Sequence, residues 1–253
     1  AYYVWLFRRC RRAWPCGNRI IKNETEEKGE EMSYQIAIDG PAGAGKSTIA
    51  RKLAGKLGFI YVDTGAMYRA MAYYLLKQGV NGDDEEQVGR LCEGADITIC
   101  YENGEQVVLL NGENVNGVIR TEEVGNMASK SSKNPKVRQR LTKLQKELAQ
   151  VSDVVMDGRD IGTCVLPGAD VKIYLTASVE VRAKRRYEEL LGKGIREDIE
   201  TIAKDIAARD EQDMTRKIAP LKKAEDAVLV DSSDLTIDEV VTRIMELCSS
   251  KIK

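Results

Sequence analysis

The stretch Tyr34-Gln35-Ile36-Ala37-Ile38-Asp39-Gly40-Pro41-Ala42-Gly43-Ala44-Gly45-Lys46-Ser47 decides the fold, because an apolar segment passes through a glycine-rich turn straight into residues with helical periodicity. Gly40 to Ser47 satisfy the complete GxxxxGK[ST] pattern, and Ile49, Leu53 and Leu57 then recur at helical spacing until Gly58 stops the run. Glycines in such a loop let backbone N–H groups turn inward around phosphate oxygens, and the helix beginning near Lys46 adds the positive end of its dipole. Lys46 has the reach for β- and γ-phosphates, and the Ser47 hydroxyl suits the Mg²⁺ that accompanies them. An ordinary glycine-rich turn accounts for the glycines but not for Lys46 and Ser47 in this context.

Working outward, FIYVD (59–63) reads as a second strand, and a helix is expected from about Ala66 to Lys77, ended by Gly79. VVMD (154–157) and VKIYLTA (171–177) read as buried strands, each followed after a loop by a helix. This alternation predicts an α/β fold with a doubly wound parallel sheet. One segment breaks the rhythm: DITICYENGEQVVLLNGENV (96–115) holds two strand-like runs joined at Glu102-Asn103-Gly104-Glu105, with a second Asn-Gly at 111–112, and so predicts a small antiparallel insert. Pro135 opens an amphipathic run through Val137, Leu141, Leu144 and Leu148, and Pro suits the first position of a helix.

The chain has 253 residues, enough for one α/β domain with an insert. Lysine and arginine nearly balance aspartate and glutamate, which removes the bulk positive field of a non-specific nucleic-acid binder. No apolar run approaches the roughly 20 residues that span a bilayer. Histidine is absent, so chemistry must rest on carboxylates, lysine, arginine, hydroxyls and backbone. Six cysteines without CxxC spacing favour reduced thiols, a cytoplasmic setting and no zinc site. Residues 1–31, with an aromatic patch, the Arg8, Arg9, Arg11 and Arg12 cluster and a glutamate-rich run, read as an extension outside a domain spanning 32–253. The apolar patch precedes the positive charges and is too short for a secretory leader.

A P-loop alone does not name a reaction. No NKxD tetrapeptide of a GTPase occurs, and VVMD ends in Asp157-Gly158-Arg159-Asp160 rather than the Asp-Glu of a motor ATPase. Asp157 stands where a strand-end carboxylate makes outer-sphere contact with Mg²⁺, with turn capping as its plainer role. Arg69, Arg138, Arg159, Arg209 and Arg216 fall in or near loops and turns; taken singly, each is more commonly a solvated residue or the partner of a nearby carboxylate. Transfer between two phosphorylated substrates, however, needs such planar, permanent charges in one place.

Five segments carry a resemblance to the bacterial cytidylate kinase family, running from about Tyr34 to the C-terminal helix: IDGPAGAGKST, DTGAMYRA, NGENVNGVIRTEEV, DGRDIGT and ARDEQDMTRKIAPLKKAEDA. The resemblance implies a P-loop nucleoside-monophosphate kinase with a monophosphate-binding insert at about 84–120 and a short lid at about 182–196. It implies ATP binding by Gly40, Pro41, Ala42, Gly43, Ala44, Gly45, Lys46, Ser47 and Thr48, and monophosphate binding by Thr64 and Arg69. Many relatives carry serine where this chain has Thr64, and either hydroxyl serves. Arg138 and Asp160, joined by Ser129, would read cytosine, Arg159 would sit near the transferred phosphoryl, and Arg209, Asp213 and Arg216 would contact the sugar and phosphate of the monophosphate. Asp213 and Arg216 also have the spacing of a simple helical ion pair. Arg182, Arg185 and Arg186 would swing onto the phosphates as lid residues, although they also fit a solvated helix face.

These expectations describe a monomer that moves the γ-phosphoryl of MgATP to CMP or dCMP, with no nucleic-acid or membrane partner. A kinase for another small acceptor such as UMP, AMP or shikimate would share the P-loop and lose the Arg138–Asp160 pair. A nucleotide-dependent RNA-binding or regulatory protein would instead use the basic N-terminus as its arm.

Overall fold

The computed structural model describes residues 33–102 and 104–251. The expected extension at 1–31 lies outside the described residues. Strand β1 (Gln35–Asp39) is buried from Ile36 onward and stops at Gly40. A Cβ at Gly40 would sit 1.9 Å from the carbonyl oxygen of Leu175, so only glycine fits where the P-loop begins. Helix α1 (Lys46–Leu57) follows, with Leu53 buried. Gly58, at φ +71°, turns the chain into β2 (Ile60–Asp63).

Helix α2 (Thr64–Lys77) begins two residues earlier than its apolar periodicity suggests, because the Asp63 carboxylate accepts from the Ala66 N–H at 2.9 Å and caps it. Next come α3 (Glu85–Leu91), a 3₁₀ turn (Cys92–Gly94), β3 (Ile97–Glu102) and β4 (Glu105–Leu110). The expected two-stranded insert is three-stranded. Asn111 and Gly112 both adopt positive φ, 51° and 86°, and return the chain antiparallel as β5 (Glu113–Asn114). Helices α4 (Glu122–Ser131) and α5 (Pro135–Val151) are capped by Thr121 and Asn134, and Pro135 takes the first helical turn as its fixed φ favours.

After β6 (Val154–Gly158) the structure departs from the expected loop and helix. A single five-residue π-helical turn (Ile161–Val165) leads through a short loop into β7 (Val171–Thr176). Both ends of the turn are held: the Asp160 carbonyl accepts from Cys164 and Val165, and the Asp39 carboxylate accepts from Ile161 and Gly162. Helices α6 (Val179–Gly192) and α7 (Ile199–Thr215), strand β8 (Val228–Asp231) and helix α8 (Ile237–Lys251) complete the chain.

The strands form a five-stranded parallel sheet in the order β2-β6-β1-β7-β8 and a three-stranded antiparallel sheet in the order β3-β4-β5. The register of β1 on β7 runs from Ile36↔Val171 to Asp39↔Tyr174, placing the end of β1 beside Tyr174. The described chain divides into two compact units, one of residues 33–34 and 57–154 and the other of residues 35–56 and 155–251. In the first, Met67, Met71, Leu75 and Leu141 are fully buried; in the second, Ile36, Ile38, Leu53, Met156, Ile173 and Leu175 are. Each such aliphatic side chain contributes about 1.5–3 kcal/mol by leaving water.

Among the described residues, Cys92 and Cys164 are free thiols. Among the described residues no helix is long and apolar enough to cross a membrane.

Candidate active site

In the unit built on β1 and α1, Gly43 and Gly45 adopt φ of 76° and 85°, the left-handed region that turns successive amides to one side. Pro41 and Ala44 are buried, Ala42 and Gly45 are half-buried, and Gly43, Ser47 and Thr48 are exposed. Lys46 is the first residue of α1 and is buried, with its Nζ donating to the Pro41 carbonyl at 2.7 Å. Burial, followed by the nearby Arg159 guanidinium, pushes the lysine down to about 7, against the opposing pull of Asp157, Asp39 and Asp213. The Ser47 hydroxyl donates to Asp157 Oδ2 at 2.9 Å, so the end of β6 meets the end of the P-loop.

Arg159, Asp160, Asp213 and Arg216 form a connected set beside this loop. Arg159 Nε donates to Asp213 Oδ2 at 2.8 Å, and Arg216 Nη2 reaches Asp160 Oδ1 at 3.3 Å. The i,i+3 pair of Asp213 with Arg216 is present but longer, at 3.9 Å. Asp213 is therefore held chiefly from β6 and not from its own helix. Arg216 Nε also donates to the Ala219 carbonyl at 2.6 Å, and Ala219 has positive φ, 48°, at the sharp turn that follows α7. Arg209 is half-buried, and burial together with Arg159 holds its guanidinium below the ordinary arginine range.

The three lid arginines part company. Arg182 is buried, and its guanidinium donates to the carbonyls of Ala177 at 2.9 Å and Ala42 at 3.0 Å and to Asp210 Oδ2 at 2.6 Å. Arg185 Nη2 donates to the Ser232 carbonyl at 2.7 Å. Arg186 alone of the three is exposed, pairing with Glu189 along α6 at 2.9 Å. Neither Arg182 nor Arg185 belongs to a solvated face, and in this structure Arg182 braces the P-loop.

In the other unit, Thr64 is buried at the first position of α2. The preceding Asp63 exchanges backbone bonds with the Gln106 side-chain amide at 2.8 and 3.2 Å and accepts from Arg120 at 2.6 Å. Arg69 Nη1 donates to the carbonyls of Ile119 and Thr121, both at 3.3 Å. A Cβ on Gly125 would come within 3.1 Å of that nitrogen, so glycine makes room for the guanidinium. Arg138 is buried, lies over the Tyr68 ring with its Cζ 5.5 Å from the centroid, and donates to the Ser132 carbonyl at 3.2 Å. Ser129 is half-buried on α4, and its carbonyl accepts from the Ser132 hydroxyl.

Sequence reading missed Asp39, Asp63, Arg120 and Asp210. Asp63 carried a usable signal, an aspartate directly before a helix; the others act on partners far away in the chain.

No group of three or more metal-binding side chains occurs among the described residues. The hydroxyl and carboxylate of Ser47 and Asp157 are hard oxygen donors, which fits Mg²⁺ carried in largely by phosphates and water and not caged by protein.

A sequence profile described as cytidylate kinase matches residues 36–250. The cytidylate kinase of Geobacillus sp. (strain WCH70) is 51% identical over 220 residues, covering 87% of this chain and 98% of that protein. The cytidylate kinase of Bacillus subtilis (strain 168) is 48% identical over 221 residues, covering 87% of this chain and 99% of that protein. A solved structure, the shikimate kinase from Acinetobacter baumannii in complex with shikimate, is 22% identical with a TM-score of 0.43 over 88% of this chain and 97% of that one, a likeness too loose to bear on the site.

Proposed function

The chain belongs to the cytidylate kinase family, and from that premise we propose that it transfers the γ-phosphoryl group of MgATP to CMP or dCMP, giving ADP and the nucleoside diphosphate. The observation that carries the site assignment is the contact of Ser47 with Asp157 beside a buried Lys46, which supports the reading of Gly40 to Thr48 as the triphosphate cradle. Ser47 and Asp157 would hold the Mg²⁺ that accompanies the triphosphate, which would supply neutralisation of phosphate charge.

An oxygen of the CMP phosphate attacks the γ-phosphorus as the bond to the β,γ-bridging oxygen breaks. That oxygen is already ionised near neutral pH, so no side chain need act as a strong base. Lys46 and Arg159 neutralise charge along the line of transfer, and Arg159 reaches it from β6 while Asp213 steadies the guanidinium. Thr64, Arg69, Arg209 and Arg216 hold the phosphate and sugar of the monophosphate, with Asp213 on the ribose hydroxyls. Arg138 donates to the carbonyl and ring nitrogen of cytosine, Asp160 accepts from its exocyclic amine, and Ser129 assists. Uracil offers a carbonyl where cytosine offers that amine, so the pair disfavours it. Arg186 is the arginine best placed to move with a closing lid, whereas Arg182 and Arg185 serve as its anchors.

A coupled ADP-release assay with MgATP tests this reading by offering CMP, dCMP, UMP, AMP and shikimate separately. Fast turnover on CMP and dCMP with UMP far slower is expected. An enzyme that binds ATP and turns over none of these acceptors refutes it.

A further inference from the structure

Asp39 is the last residue of β1, directly before the P-loop, at a position where its strand neighbours Ile36, Ala37 and Ile38 are all fully buried and apolar. It is 5% exposed itself. Its two carboxylate oxygens diverge to consecutive amides: Oδ1 accepts from Ile161 at 2.8 Å and Oδ2 from Gly162 at 2.7 Å. A Cβ on Gly162 would lie 3.4 Å from Oδ2, an ordinary van der Waals contact, so the carboxylate lies close against the backbone of the turn. The clamped amides follow immediately after Arg159 and Asp160, and the far end of the same turn is held by the Asp160 carbonyl.

We infer that Asp39 is a positioning residue for phosphoryl transfer and base selection, its carboxylate fixing the backbone from which Arg159 and Asp160 project. The inference rests on the roles given to those two residues in the proposed function. Two N–H donors converging on one side chain require a group that accepts at both of its oxygens, and among side chains that fit here only a carboxylate does so. A carboxamide offers one oxygen and then points its own N–H₂ at the second amide. Leucine or valine would satisfy neither amide, yet would suit the apolar surroundings better. Burial pushes Asp39 up to about 6 despite both amide bonds, with Asp160 adding to the rise and Lys46 opposing it. A buried charge kept at that cost, between the phosphate loop and the Arg159–Asp160 turn, has a purpose beyond packing.

The test compares wild type with Asp39→Asn in steady-state kinetics on CMP and UMP, together with ATP binding and thermal melting at pH 7.5. The expected result for Asp39→Asn is a fall in kcat of about 10- to 100-fold, the scale of a small misplacement of a reacting group. The ratio of kcat/KM for CMP over UMP should fall with it, while ATP affinity and melting stay close to wild type. A folded Asp39→Asn enzyme with kcat and selectivity within about twofold of wild type overturns the inference. So does a variant whose ATP affinity, stability and turnover decline together, since that pattern marks a merely structural residue. If Asp39→Asn does not fold, Asp39→Glu keeps both acceptor oxygens on a longer arm that shifts the two clamped amides, and should reproduce the kinetic pattern; a folded Asp39→Glu with unchanged kcat and selectivity refutes the inference. The wild-type assay separates the two readings: no CMP turnover by wild type fails the proposed function, whereas wild-type turnover matched by Asp39→Asn fails only the positioning role.

Discussion

The ε-amino group of Lys46 donates to the carbonyl oxygen of Pro41, so the lysine is tied across the loop it serves before any nucleotide arrives. Because burial leaves Lys46 at about 7, the free enzyme holds it partly neutral near physiological pH. Incoming phosphates favour the charged form, so ATP binding at pH 7.5–8 should take up a fraction of a proton. Calorimetry in buffers of different ionisation enthalpy measures this, and the uptake should vanish in Lys46→Met. Turnover in Lys46→Ala should drop by about 100- to 1000-fold, the scale of losing one oriented charge donor. Buffer-independent binding heats would contradict the proton uptake.

Arg159 is held by Asp213 and by the Gly158 carbonyl, so its head group is pre-aimed. Arg159→Ala should reduce kcat by about 100- to 1000-fold, and Arg159→Lys should recover only part, since a point charge cannot reproduce the planar fork. Near-normal turnover of the alanine variant would remove Arg159 from the reaction.

Base selection is expected to reside in Arg138 and Asp160. Asp160→Asn should narrow the preference for CMP over UMP by about 10- to 100-fold, because a carboxamide can donate to the uracil carbonyl that a carboxylate repels. Kinetics on the two monophosphates measure the ratio, and an unchanged ratio would place cytosine recognition elsewhere.

Stability should separate the lid arginines. Arg182→Ala strands the Asp210 carboxylate, itself 7% exposed, and should cost about 3–5 kcal/mol by urea unfolding. Arg186→Ala breaks only an exposed pair and should change stability by less than about 1 kcal/mol. Equal effects would show that the depth of the Arg182 anchor has been misread.

Asp39 makes a pH prediction with a definite sign. Its folded value, about 6, lies above its ordinary 3.8, so the folded state binds the extra proton between those values. The carboxyl's contribution to stability is therefore fully present below about pH 3.8 and lost as pH rises through about 6. The stability of wild type relative to Asp39→Asn should rise by up to about 3 kcal/mol as pH falls from 7 toward 4. Denaturant unfolding across that range checks it; a flat difference would mean that Asp39 titrates normally. The groups facing it are the charged Lys46 and Asp160 and the neutral phenol of Tyr174, and they remain in both proteins.

Much of this was legible in the sequence where the signal was local. The P-loop, the strand–helix alternation, Pro135 at its helix start and the Asn111-Gly112 reversal all depend on neighbours within a few residues. The π-helical turn at Ile161–Val165 was not legible, because five residues carry no period and its clamp, Asp39, is more than a hundred positions away. Arg182 and Arg185 were ambiguous for the same reason. In a charge-dense segment they fit a wet face, and only folding brings the Ala42 and Ser232 carbonyls to them. The third insert strand, two residues long, is too short to register as alternation.

The carboxylate at the end of β1 sets two selective pressures against each other. A screen that rewards heat resistance alone would pass a neutral replacement such as asparagine at position 39 and return proteins that melt as well yet work worse. Anyone engineering a hardier variant of this chain should hold that position fixed and look for improvement among exposed residues of helices such as α8, where no such conflict operates.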